Sequence, residues 1–335
     1  MKFKLFFIPL TAMPPALVDK ALALLSEDER TKVARYRSPQ AQNNGLVVRA
    51  ALRSLLSTSA PLQPNEWCFE YGNRGKPSLT QEQYKLTGLD FNLSHSGDWL
   101  LIALSTQPEC KDKSALLFGV DIERERVKTD IHPILNHYFS PAETNALLAL
   151  GDEKLQRQRF FDLWALKESY IKATGLGLAQ SLKSFAFKLL PDSLHTNEQT
   201  DSTAANDVNH LGKKSPTLPP LQRFDDVAEN GADIAKSTAN HLPLFSQIEL
   251  ETGLSVNPDS TVKHADLSLN SQSSLQWQSV FGRLTEEYRF ALTIGSKAGS
   301  QDTEYKSDRT HCTNRFSLED LSLFQVNIES LLAKY

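Results

Sequence analysis

The sequence has little cysteine and no long apolar run. Its 335 residues include three cysteines, an odd number whose spacing matches neither a zinc site nor a disulfide framework. No stretch comes near the roughly 20 apolar residues that a membrane-spanning helix needs. We therefore expect a protein of the reducing cytoplasm that does not cross a membrane.

An excess of basic residues is also absent. Lysine and arginine number 36 against 40 aspartates and glutamates, so the net charge is −4 and the pI is about 6.1. A nucleic-acid-binding domain normally carries a basic balance, and we expect no such partner. The length fits two modest domains, and the 40% share of hydrophobic residues suffices for their cores.

The predicted helices and strands follow one order twice. Each part of the chain begins with a strand, continues with helices that include one long helix, and ends with three strands. The long helices are predicted over residues 39–56 and 154–174. This order predicts an α+β fold of two similar subdomains, residues 1–113 and 114–335, each a small, mainly antiparallel sheet with a long helix.

One internal segment differs in composition from the rest. Residues 191–273 are rich in Ser, Asn, Asp, Thr, Pro and Gly and poor in large apolar residues. Such a segment cannot bury enough surface to offset its ordering entropy, about 1–2 kcal/mol per residue. We predict a disordered insertion there, and a C-terminal helix over residues 318–332.

Two acidic residues stand at the end of a predicted strand, in the motif Gly119-Val120-Asp121-Ile122-Glu123. Residues i and i+2 of a strand point to one face, roughly 7 Å apart. Paired carboxylates without a basic residue between them suit a hard divalent cation such as Mg²⁺. Solvated acids on an edge strand are the alternative interpretation.

The second long helix carries a further acid and a base on one face. Trp164, Glu168 and Lys172 are spaced i, i+4 and i+8, so they stack along the helix. Glu168 could complete a metal site, and Lys172 could hold a phosphate one turn away. An ordinary surface Glu–Lys pair, worth about 0.2–0.5 kcal/mol, is the alternative.

A third set of polar residues lies at two turns of the first part. Lys76 follows Gly75 on a stiff turn and is suited to phosphate, whereas Ser94 and His95 end a strand before Gly97. Neighbours on a strand point to opposite faces, so Ser94 and His95 are poorly placed as a nucleophile–base pair. We expect His95 to contact phosphate, with a hydrogen-bonded structural histidine as the alternative.

Taken together, these motifs resemble a known family. GKP at 75–77, FNLSHS at 91–96, GVDIE at 119–123 and WALKESYIKATGLGL at 164–178 are similar, in this order, to the surfactin-synthetase-activating type of 4′-phosphopantetheinyl transferases. The resemblance spans residues 1–190 and 274–296. It implies two α/β halves related by a pseudo-twofold, with coenzyme A in the cleft between them.

The resemblance also implies roles for individual residues. Asp121, Glu123 and Glu168 match the acids that bind Mg²⁺, for which Mn²⁺ is an acceptable substitute, and Lys172 matches the lysine near the pyrophosphate. Lys76 and His95 match residues at the nucleotide end of coenzyme A, with Ser94 beside them. Candidates for the 3′-phosphate are the basic residues of the N-terminal helices: Arg30, Lys32, Arg35, Arg49 and Arg53.

The family's reaction gives these residues a mechanism. The arm of coenzyme A passes to a serine of an apo carrier protein, with Asp121, Glu168 and Lys172 as the catalytic groups. The expected partners are coenzyme A and carriers of fatty acid, polyketide, polyunsaturated fatty acid or peptide synthases, and a monomer is expected. Two alternatives stay open: a metal-dependent phosphohydrolase, and a non-catalytic module that binds coenzyme A or a carrier.

Overall fold

The computed structural model describes residues 1–107, 116–189, 221–224, 244–245, 248–254, 275–297 and 316–335. Its helices are α1 (Pro15–Ala23), α2 (Glu27–Ala34), α3 (Pro39–Ser57), α4 (Gln81–Thr87), α5 (Ile131–Tyr138), α6 (Pro141–Leu148), α7 (Glu153–Thr174) and α8 (Ile328–Leu332). Its strands are β1 (Lys2–Pro9), β2 (Phe69–Tyr71), β3 (Pro77–Leu79), β4 (Leu89–Ser96), β5 (Trp99–Thr106), β6 (Leu116–Arg124), β7 (Phe185–Leu189), β8 (Leu221–Arg223), β9 (Leu244–Phe245), β10 (Ile248–Thr252), β11 (Leu275–Arg283), β12 (Tyr288–Lys297) and β13 (Leu321–Gln325).

Two sheets pack face to face. The N-terminal sheet has the order β4-β5-β1-β13-β8, and the C-terminal sheet has the order β6-β12-β11-β9. Successive side chains of β1 point to opposite faces of the sheet, and both faces are buried. Phe3 and Phe7 pack against the C-terminal sheet, where their rings lie 5.2 Å from Phe118 and 4.9 Å from Phe290. Phe6 faces the helices of the first part.

Helices cover the outer faces of the two sheets. α1 and α3 bury the apolar face of the N-terminal sheet, with Trp67 and Leu331 in the same core. α5, α6 and α7 cover the other sheet through a second core that includes Phe160, Leu166 and Phe281. Ser26 and Ser140 begin α2 and α6 as capping boxes, as their Ser-x-x-Glu patterns indicate.

The two parts share a topology, as the order of elements predicted. β1, β5 and β4 are joined antiparallel in the same way as β6, β12 and β11. Each part also has a short antiparallel pair, β2 with β3 and β7 with β10. β11 and β12 form an antiparallel hairpin.

The prediction of a disordered insertion is wrong in three places. Within 191–273, β10 pairs with β7, β9 with β11, and β8 with β13. Alternation of apolar and acidic residues in Ile248–Thr252 signals such a strand, but the polar average of the segment concealed it. Apart from residues 224 and 253–254, the remainder of the predicted insertion lies outside the described residues.

The end of the chain also differs from prediction. Instead of one helix over 318–332, the structure has β13 followed by α8. β13 runs parallel to β1, with Leu321 opposite Phe3, so this segment of the 114–335 subdomain belongs to the N-terminal sheet. Among the described helices, none combines the length and apolarity needed to traverse a bilayer.

Candidate active site

A glycine sets the distance between β6 and α7. A side chain at Gly119 would place its Cβ 2.2 Å from the carbonyl oxygen of Ser169 and 2.3 Å from the backbone nitrogen of Ala173. Only a residue without Cβ allows this close approach. The approach brings Glu168 and Lys172 of α7 towards the acidic end of β6.

The acids of β6 bond to hydroxyls of the neighbouring strand β4. Ser94 Oγ donates to Asp121 Oδ1 at 2.8 Å, and Ser96 Oγ donates to Glu123 Oε2 at 3.0 Å. Asn92 Oδ1 accepts from the backbone N–H of Val120 at 2.8 Å. The first part of the chain therefore supplies partners to the acids of the second part.

Lys172 neutralises one of these acids. Its Nζ lies 2.6 Å from Asp121 Oδ1 and 2.7 Å from Ser94 Oγ. Asp121 has a side chain only 3% exposed, whereas that of Lys172 is 29% exposed. Asp121 Oδ2 is buried without a hydrogen-bond partner among the described residues.

The three acids repel one another's charged forms. Burial, and then the charge of Asp121, raises the pKa of Glu123 to about 7 and raises the pKa of Glu168 above its ordinary value. Burial also raises the pKa of Asp121, against the opposing effect of Lys172. The charge of Asp121 thus acts on both glutamates, so the three carboxylates lie in one electrostatic environment.

The three acids have the right donor atoms for a divalent cation, but they are not positioned around one ion. Three carboxylates are hard oxygen donors, and the partnerless Asp121 Oδ2 is an available one. Yet no three acid, histidine or cysteine side chains in the described ranges stand close enough together to hold one ion. The predicted convergence of three acids on one ion is therefore not met in this structure, where the cation on Asp121 is the Lys172 ammonium.

A cavity of about 220 Å³ opens beside Lys172. Its lining joins the β2–β3 turn to the end of α7: Arg74, Gly75, Lys76, Pro77, Asn92, Leu93, Ile171, Lys172, Gly175 and Gly177. α7 ends at Gly175, whose φ of +71° is the left-handed conformation that glycine adopts freely. The cavity thus places two cationic side chains of the turn near Lys172.

Lys76 lines this cavity, whereas His95 lies outside its lining but near enough to feel the charge of Lys172. Lys76 Nζ donates to the backbone carbonyls of Phe118, at 3.1 Å, and Ala173, at 3.5 Å. His95 is exposed on the face of β4 opposite Ser94, which confirms that the two do not form a nucleophile–base pair. Partial burial, and then the charge of Lys172, lowers the pKa of His95.

Arg53 was wrongly predicted to contact the 3′-phosphate. It is buried in the first part, where Nε lies 2.7 Å from Glu29 Oε2 and Nη1 donates to the carbonyls of Pro64 and Trp67. Arg49 is half-buried and donates to the carbonyl of Gly45. Periodicity placed both on α3 but could not distinguish the buried face from the exposed one.

Three residues of the site were missed in the sequence. Asn92 and Ser96 bond to β6, and Arg74 lines the cavity. A signal for two of them was present, because Asn92, Ser94 and Ser96 alternate with apolar or exposed residues and therefore share one strand face. Arg74 stands in a turn, where no periodicity indicates direction.

Comparison with known proteins agrees with this geometry. Residues 15–107 match the model of the 4′-phosphopantetheinyl transferase N-terminal domain, and residues 117–224 match the model of the 4′-phosphopantetheinyl transferase superfamily. The 4′-phosphopantetheinyl transferase HetI of Nostoc is 35% identical over 187 residues, which cover 56% of this chain and 74% of HetI. Sfp of Bacillus subtilis, also a 4′-phosphopantetheinyl transferase, is 31% identical over 184 residues, 55% of this chain and 75% of Sfp.

The two matched domains together contain every motif that forms the site. Each of the two matched ranges falls mainly in one of the two parts that share a topology. The chain belongs to the 4′-phosphopantetheinyl transferase superfamily.

Proposed function

We propose that the protein transfers the 4′-phosphopantetheine arm of coenzyme A to a serine of an apo carrier protein and releases adenosine 3′,5′-bisphosphate. The observation that supports this most is the Lys172–Asp121 ion pair beside a cavity with basic lining, with Glu123 and Glu168 near enough to feel the charge of Asp121. Family membership supplies the reaction type, and these residues supply the means to carry it out.

Binding of the diphosphate needs positive charge at this point. Asp121, Glu123 and Glu168 would hold Mg²⁺ after a side-chain movement, since the described structure does not place three such side chains within reach of one ion. The ion would offset diphosphate charge. Lys172 would turn from Asp121 to the pyrophosphate, because its half-buried side chain already lines the cavity. Lys76, His95 and Arg74 border the nucleotide end.

The proton of the carrier serine needs an acceptor. Glu168 would take it at its carboxylate, and a pKa raised above the ordinary value makes it a better base near neutral pH. The serine oxygen then bonds to the phosphorus on the pantetheine side, and the bond from that phosphorus to the bridging oxygen breaks. Positioning and electrostatics supply the rate, since the chain itself contributes no nucleophile.

The finer assignment is that of a holo-[acyl-carrier-protein] synthase. Its substrate under this proposal is an apo carrier of a fatty acid, polyketide, polyunsaturated fatty acid or peptide synthase. The site lies on residues of a single chain, which supports activity as a monomer. The cysteine spacing matches no disulfide framework, which is typical of cytoplasmic proteins. We therefore propose that the carriers are cytoplasmic as well.

Mass spectrometry tests the proposal. Coenzyme A, Mg²⁺ and a panel of apo carriers are incubated with the protein, and at least one carrier is expected to gain the mass of the arm. Asp121→Ala should abolish the gain, whereas Lys188→Ala, a change at an exposed residue of β7, should not. Consumption of coenzyme A without any carrier modification would identify a phosphohydrolase, and binding without turnover would identify a non-catalytic module.

A further inference from the structure

One strand of the first part is organised around the acids of the second. Asn92, Ser94 and Ser96 alternate along β4, are at most 8% exposed, and each bond to β6. We call these three side chains the β4 polar row. β4 and β6 share no backbone pairing, so in the described residues the row is the hydrogen-bonded link between these two strands.

Ser96 has the simplest partners in the β4 polar row. Its Oγ accepts from the backbone N–H of Arg124 at 3.2 Å and donates to Glu123 Oε2 at 3.0 Å. The amide occupies a lone pair of the hydroxyl, so the hydroxyl proton is left to point at the carboxylate. Ser94 makes a similar pair of bonds, accepting from Lys172 Nζ and donating to Asp121 Oδ1.

We propose that Ser96 is a positioning residue for Glu123, and that the β4 polar row as a whole orients the acidic site across the two halves. The proposal rests on the proposed function, because the orientation is useful for holding a divalent cation. Ser96 itself touches neither coenzyme A nor carrier in this role. It acts only through Glu123.

The physical reason lies in how a carboxylate is held. A free glutamate side chain loses rotamer entropy when it is fixed, and that loss opposes the binding of a ligand. The Ser96 bond fixes one carboxylate oxygen of Glu123 before any ligand arrives, as the Ser94 bond fixes Oδ1 of Asp121 and leaves Oδ2 without a partner in the described part of the chain. Outer partners of this kind typically contribute about 10–100-fold in metal affinity.

A purely structural role makes a different prediction. If the β4 polar row only joined the halves, removal of the Ser96 hydroxyl would lower thermal stability and leave metal affinity unchanged. Ser105 provides a matched control, since it is a buried serine on the adjacent strand β5 whose Oγ has no hydrogen-bond partner within the described ranges.

The test measures Mn²⁺ binding to the full chain by electron paramagnetic resonance, without coenzyme A or carrier. Ser96→Ala is expected to weaken Mn²⁺ binding about tenfold or more, with a melting temperature close to that of the wild type. Ser96→Cys keeps the shape of serine but is a weak donor, and it should lose affinity in the same direction. Ser105→Ala should bind Mn²⁺ as the wild type does.

Three results would overturn the proposal. The first is wild-type affinity in a folded Ser96→Ala or Ser96→Cys protein. The second is an equal loss in Ser105→Ala, and the third is a wild-type protein that binds no Mn²⁺. Carrier modification is measured separately on the wild type, so failure of the proposed function is distinguished from failure of the positioning role.

Discussion

Arg53 and Lys167 occupy equivalent places in the two halves of the molecule. Each is a buried cation on the long helix of its half, and each pairs with an acid on the preceding short helix. Arg53 Nε lies 2.7 Å from Glu29, and Lys167 Nζ lies 2.8 Å from Glu143. The two pairs have the same spacing of 24 residues along the chain.

The surroundings of the two pairs are also alike. Both acids are the third residue of a capping box, and both cations donate to two backbone carbonyls at or just before the next strand. The guanidinium lies 4.9 Å from the ring of Phe69, and the ammonium lies 4.4 Å from the ring of Phe185. The pseudo-twofold is therefore present in side-chain chemistry and not only in topology.

Removal of one partner from the second pair should destabilise the fold strongly. Lys167→Met leaves the buried Glu143 without its cation, and we expect a loss of about 3–5 kcal/mol in the free energy of unfolding. Urea denaturation followed by circular dichroism measures it. The exposed pair Lys188–Glu249 is the control, and Lys188→Met should change stability by less than about 1 kcal/mol.

A methyl group at position 119 should disturb the contact between β6 and α7. Gly119→Ala places a carbon against two backbone atoms that cannot rotate away, and overpacking of this kind costs about 1–3 kcal/mol. Carrier modification should fall further than stability alone explains, because Glu168 and Lys172 move with α7. Gly151→Ala, where no atom of the described residues lies within 4 Å, is the control. Unchanged activity in Gly119→Ala would contradict this role.

The metal-free protein should respond to pH through Glu123. Its folded pKa of about 7 is above the ordinary 4.5, so the folded state binds more protons between these values. The charged carboxylate therefore destabilises the fold above pH 7, and this penalty disappears as the pH falls towards 4.5. Glu123→Gln should raise the melting temperature at about pH 8 in EDTA, and this gain should vanish near pH 4.5. A gain of equal size at both pH values would contradict the shift.

Lys172 should have opposite effects on metal and on coenzyme A. Its ammonium competes for Asp121, so Lys172→Ala should bind Mn²⁺ alone at least as tightly as the wild type. Loss of its charged contact to the pyrophosphate, about 1.5–3 kcal/mol, should raise the KM for coenzyme A about tenfold or more. Parallel loss of both affinities would instead indicate a disturbed fold, which Lys188→Ala should not show.

The sequence predicted the elements of the site better than their contacts. Strong periodicity located α3 and α7, and the GVDIE motif located Asp121 and Glu123 at the end of a strand. These features are local, and local propensity is enough to specify them. The partners of Asp121 depend on which strands become neighbours in space, and no local pattern carries that information.

The errors have the same origin. Arg53 and Arg49 lie on the same helix, and only tertiary packing makes the first fully buried. β13 was predicted as helix because Leu321, Leu323 and Phe324 fit either period over so short a run. The repeated pairs Glu29–Arg53 and Glu143–Lys167 were, by contrast, detectable as equal spacings after two Ser-x-x-Glu patterns.

The parallel pairing of β1 with β13 has a consequence for biosynthesis. Among the described strands, β1 leaves the ribosome first, whereas β13, one of its two neighbours in the sheet, is translated last. At about 5–20 residues per second, the edge of β1 waits for on the order of tens of seconds. An open strand edge is a template for pairing with other chains. Nascent copies are thus most vulnerable to aggregation late in translation, and a chaperone that shields this edge should improve the yield.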